Sequence, residues 1–90
     1  MDELVSRELE FRGIPLNQLA MYMEELGAKR MSDSLFQGDN WSGEFLREEE
    51  LLFTNVFKVN AVHIRFEART KQELEHLIKK YRFKTFRVGG

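Results

Sequence analysis

No cysteine occurs among the 90 residues, which removes thiol catalysis, thiolate metal sites and disulfide frameworks together. Its absence suits a reducing compartment. The longest uninterrupted apolar run, Leu19 to Met23, is five residues, far short of the roughly 20 needed to span a bilayer. The opening Met1-Asp2-Glu3 lacks a positively charged segment followed by an apolar run, so no signal peptide is expected. A cytoplasmic protein without membrane contact is the resulting expectation. The two histidines, His63 and His76, form no His-x3-His pair, which leaves metal binding without support. None of Ser6, Ser32, Ser34 and Ser42 sits in a nucleophile elbow. No cofactor is implied, and the reading leans away from an enzyme.

What is present suffices for one compact α+β domain over residues 1–90. Hydrophobic residues make up 42% of the chain, enough for a core at this size without covalent staples. The net charge of −1 conceals an asymmetry: residues 1–50 carry −7 and residues 51–90 carry +6. Interleaving of the two halves would neutralise most of it; otherwise it suits an anionic partner or head-to-tail association.

Two stretches 55 residues apart resemble each other. Leu9-Glu10-Phe11 precedes Leu19, Tyr22, Met23, Leu26, Ala28 and Met31; Ile64-Arg65-Phe66 precedes Leu74, Leu77, Ile78, Tyr81, Phe83 and Phe86. Each reads as strand, amphipathic helix, strand. Residues 4–12 alternate as a half-buried strand. Pro15 suits a helix start, and Gly27 a left-handed helix end after Leu26. Residues 28–37 read as a second strand, Gly38-Asp39-Asn40 as a turn, and residues 41–53 as an extended return. Thr54-Asn55 offers another reversal before a long strand over 56–68, where the change of apolar parity predicts a bulge near Asn60. Thr70-Lys71-Gln72-Glu73 fits a capping box opening a second helix. Lys79, Lys80 and Arg82 then suit the last turn of that helix, where cations complement its dipole. Residues 83–88 read as a closing strand.

This order predicts a ferredoxin-like two-layer sandwich. It consists of duplicated βαβ units with an extra central hairpin, both helices lying on one face of an antiparallel sheet.

Two constellations could bind a ligand. His63, Arg65 and Glu67 project from one strand face, where a histidine near carboxylates can titrate close to neutral pH. A solvated face of cross-strand charge pairs accounts for the same residues. The loop from Gly38 to Glu44 offers Asp39, Trp41 and Glu44, with the indole as a stacking platform. A hairpin whose tryptophan packs on the sheet edge also accounts for it. Lys79, Lys80, Arg82, Lys84 and Arg87 interleave with Tyr81, Phe83 and Phe86, but the aromatic motif of RNA-recognition sheets is missing, so nucleic acid is not the expected partner.

The final Arg87-Val88-Gly89-Gly90 resembles the diglycine tail of the ubiquitin-like sulfur carriers of molybdopterin and thiamine synthesis. The resemblance implies a terminal glycine carboxylate that is adenylated and converted to a thiocarboxylate, on a tail slim enough to thread a partner's active site. Those carriers are β-grasp domains that open with a hairpin, whereas this chain places a helix after its first strand.

The leading expectation is a small binding or assembly module, homodimeric through its sheet, with a protein or small-molecule partner. The alternatives are a diglycine sulfur carrier acting through Gly90, and a small-ligand sensor using residues 38–44.

Overall fold

The computed structural model describes residues 4–52, 54 and 56–89. In chain order they form β1 (Val5–Arg12), α1 (Leu16–Glu25), β2 (Lys29–Arg30), β3 (Leu35–Gln37), β4 (Trp41–Leu52), β5 (Lys58–Ala68) and α2 (Lys71–Gly89). The sheet order is β1-β5-β4-β3-β2, and every pairing is antiparallel. The fold is α+β: a five-stranded antiparallel sheet with two helices. Among the described residues no helix is long and apolar enough to cross a membrane.

Both helices cover the same sheet face. Phe66 packs edge-on against Tyr81 of α2, with ring centroids 5.1 Å apart. Gly43, opposite Phe66 in the register, leaves room for α1, since a Cβ there would lie 2.8 Å from Met23 Sδ. Phe11, Phe36, Phe45, Val62, Ile64 and Phe66 line that face of the sheet, and Leu19, Met23, Leu74, Ile78 and Tyr81 close over it from the helices. Tyr81 is fully buried. Its Oη donates to the Leu19 carbonyl at 2.6 Å, joining the two helices where each is most apolar. Burial pushes the Tyr81 phenol well above its ordinary pKa, with Tyr22 adding to the effect, so it stays a neutral donor.

Local chemistry sets the boundaries. Pro15 precedes α1 with ψ 146°, extended backbone that its fixed φ permits. At the other end Gly27 adopts φ +101°. Its N–H reaches the Glu24 carbonyl while Ala28 N–H reaches Met23 O, a Schellman ending that favours glycine. In α2 the Thr70 hydroxyl accepts the Glu73 N–H at 3.1 Å, one arm of the expected capping box.

Three expectations need correction. The ferredoxin-like duplication does not hold, because residues 83–88 continue α2 to Gly89 instead of forming a strand. The second copy therefore lacks its closing strand, and β1 forms one edge of the sheet with only β5 beside it. The physical reason is that Lys79 to Phe86 contains no glycine or proline, so a capped helix has nothing to stop it. The strand expected over 28–37 is split into β2 and β3. Between them Ser32 Oγ accepts the N–H groups of Ser34 and Leu35, turning the chain locally instead of extending it, and Met31 is left exposed. The bulge lies not at Asn60 but in β4, between Phe45 and Arg47. β5 is paired on both sides from Ala61 to Ala68 and with β4 alone from Lys58 to Asn60, so a bulge in the doubly paired stretch would disturb two ladders. β4 has lost β3 as a neighbour beyond Glu44, which makes it the cheaper place. The reversal expected at Thr54-Asn55 lies partly outside the described residues, which include Thr54 but not Asn55.

Candidate functional site

The sheet face away from the helices carries a compact ionic cluster. His63 sits at its centre, with β1 on one side and β4 on the other. Its Nδ1 lies 3.8 Å from Glu8 Oε1, and its Nε2 lies 3.6 Å from Glu10 Oε2 and 2.6 Å from Glu49 Oε1. Arg47 reaches Glu49 at 3.3 Å and Glu8 at 3.5 Å, while Arg12 holds Glu10 at 3.1 Å. The bulge in β4 builds this arrangement. In unbroken register Leu46 would follow Phe45 opposite His63; the extra residue puts Arg47 there instead and brings Glu49 to the same face. The imidazole is nearly enclosed, and the approach to Glu49 is close but poorly directed, leaving the buried Nε2 without an aligned hydrogen bond. The proximity still dominates Glu49, whose carboxyl is held below the ordinary value by the His63 contact first and Arg47 second.

That shift carries a pH consequence. A depressed folded-state pKa gives stability that is present above the ordinary glutamate value of 4.5 and lost as pH falls through the folded value. Glu49→Gln should therefore lower thermal stability slightly at pH 7 and converge with the parent in acid, so that its stability is less acid-sensitive below about pH 5. Melting curves across that range check it; an unaltered acid limb would show that the contact contributes nothing.

The six expected site residues fall into two groups. Glu44, His63, Arg65 and Glu67 share the open face: Arg65 Nη2 binds Glu44 Oε1 at 2.5 Å, and Ser42 Oγ donates to Glu67 at 3.5 Å. Trp41 lies on the opposite face, packed against the core. Asp39 is exposed in the turn and, with Trp41, borders a shallow hollow at the sheet end. The turn itself is tight: a Cβ at Gly38 would overlap the indole. The loop from Gly38 to Glu44 thus divides across the sheet. Among the described residues no group of three or more histidines and carboxylates is arranged to hold a metal ion.

Trp41 instead faces a groove along α2 that the sequence reading did not identify. A cleft of about 180 Å³ is bounded by Trp41, Asn40, Glu73, His76 and Lys80, over Leu26 and Leu77. A wider hollow of about 420 Å³ adjoins it past His76, along Lys79, Lys80, Phe83 and Lys84. Glu73, His76, Lys80 and Phe83 recur at intervals of three and four, one side of a helix. That periodicity was the available signal, and it is visible only once Phe83 is placed on the helix.

Of the diglycine tail, Gly89 ends α2 and Gly90 lies outside the described residues. Residues 7–90 match the model of the family described as "Archaeal MoaD-like protein", and the chain belongs to that family. No curated protein matches it significantly.

Proposed function

We propose that the chain is a small sulfur-carrier-like protein whose Gly89-Gly90 tail bears the transferred group, with the enzyme that charges the tail as its protein partner. The observation that carries this reading is the family match, which spans residues 7–90 and so takes in both glycines. The reading requires the Gly90 carboxyl group to be free. A Gly90 carboxylate oxygen attacks the α-phosphorus of ATP and displaces pyrophosphate, giving an acyl adenylate. A hydrosulfide ion then attacks the acyl carbon, AMP departs with the bonding pair of the acyl–oxygen bond, and a thiocarboxylate remains. The chain has no cysteine, so the sulfur must come from outside it.

The geometry adds one requirement. Arg87, Val88 and Gly89 continue α2, and a helical turn is too wide to enter a narrow active site. The last turn must unwind, and Gly89 favours that, because glycine is about 1 kcal/mol worse than alanine in a helix. The β-grasp carriers open with a hairpin, whereas here α1 follows β1 directly. Support therefore comes from the tail and the family, not from strand order.

Intact-mass analysis of the chain recovered from its own cells tests the reading. Sulfur in place of one Gly90 carboxylate oxygen is expected; an unmodified carboxylate in every preparation, including one incubated with ATP, a sulfur donor and the charging enzyme, counts against it.

Self-association through the sheet is a second reading, and only at the exposed edge of β1, since ion pairs line the open face. Light scattering distinguishes the states, and a strictly monomeric chain removes it.

A further inference from the structure

Lys79 and Lys80 need an explanation that the helix dipole does not supply. The dipole's influence fades within the last turn, and α2 runs on to Gly89, two turns or more beyond both residues. Lys84 is held by Glu25 at 2.9 Å, whereas neither Lys79 nor Lys80 has a carboxylate partner among the described residues. Two unpaired ammonium groups therefore project beside a hollow whose other end is walled by the single indole.

The groove is polarised along its length. At the Trp41 end the surfaces are flat or apolar (Trp41, Leu26, Leu77), with the Glu73 carboxylate and Asn40 amide beside them, and His76 and Lys80 line both hollows where they meet. At the Lys79 end the charges are positive. An elongated ligand with a planar ring and an anionic end fits in one direction only. Its ring lies against the indole, Glu73 accepts hydrogen bonds from hydroxyl or amine groups beside the ring and repels the anion, and the anion rests between the two lysines.

We propose that this groove binds a nucleoside monophosphate, base against Trp41 and phosphate on Lys79 and Lys80. The site is separate from the tail and independent of the sulfur-carrier reading; the binding is non-covalent.

Trp41 is the only tryptophan, so its fluorescence reports on the groove directly. The four common nucleoside monophosphates are titrated into the full chain, with calorimetry in parallel. At least one is expected to bind saturably with a Kd below about 1 mM. Its parent nucleoside and inorganic phosphate, each supplying half the contacts, should bind at least about tenfold more weakly, a loss of about 1.4 kcal/mol. The Lys79→Ala, Lys80→Ala double variant should lose about tenfold in affinity with an unchanged melting temperature, since both side chains are exposed. The proposal is overturned if no monophosphate binds up to about 5 mM, if the nucleoside binds as tightly as its phosphate, or if the double variant binds like the parent.

Discussion

Tyr81→Ala should lower the unfolding free energy by about 3–5 kcal/mol, the usual range for truncating a buried aromatic side chain. That is a large share of the roughly 5–15 kcal/mol that holds a small domain folded. The site has no room to relax. Tyr81 is fully buried, and its ring meets Phe11 at 5.3 Å and Phe66 at 5.1 Å in edge-on contacts. Its hydroxyl also bridges to α1 through the Leu19 carbonyl. The variant loses β1, β5 and α1 contacts at once. Tyr81→Phe isolates the hydroxyl and should cost only about 1 kcal/mol, one hydrogen bond. Urea unfolding measures both. A loss below about 1 kcal/mol for the alanine variant would contradict a core closed by this residue.

Removing Gly90 should abolish thiocarboxylate formation while leaving the fold intact. The chemistry needs a carboxylate on an unhindered glycine, and with Gly90 gone the acyl carbon belongs to Gly89, one residue short of the reacting phosphate. An error of about 1 Å in such geometry can cost roughly a hundredfold in rate, and a whole residue moves the carboxylate by about 3.3 Å or more. The buried hydrophobic core ends at Tyr81, so stability should change by less than about 0.5 kcal/mol. ATP-dependent pyrophosphate release with the charging enzyme reads the first effect and thermal unfolding the second. Undiminished release would remove the tail from the mechanism; a collapsed melting temperature would assign Gly90 a structural role instead.

The parts of this fold that were legible share a property: their signals are local. Strict alternation in Val62, Ile64, Phe66 and Ala68 located β5's core face, and all four are buried. Gly27 and Thr70 marked helix ends because one residue's conformation or hydroxyl decides each. The α2 stripe of Leu74, Leu77, Ile78 and Tyr81 was equally plain.

What failed depended on contacts far along the chain. Phe83 and Phe86 looked like strand residues by type and by analogy with the first repeat, yet both are exposed on a helix. Nothing in the sequence stopped α2, although the outer edge of β1 stood open. The parity break in β5 suggested a bulge, but the extra residue lies in β4, just past the point where β3 ends. The candidate site divided for a related reason. Trp41 and Glu44 are neighbours in sequence but differ in parity, so the pleat sends them to opposite faces. His63 and Arg65 were correctly placed on a polar surface. His63's partner Glu49, and the Arg47 that holds it, came from a segment whose register only the bulge determines.

The tail's starting conformation, the groove along α2 and the departure from a duplicated βαβ all require residues 83–89 to be helical. Backbone chemical shifts and short-range proton contacts for this segment, in the full chain, measure that directly. Helical carbon shifts with contacts three residues apart from Phe83 onward are the expected result. Extended shifts, with cross-strand contacts between residues 83–88 and the outer edge of Val5–Arg12, would contradict the account.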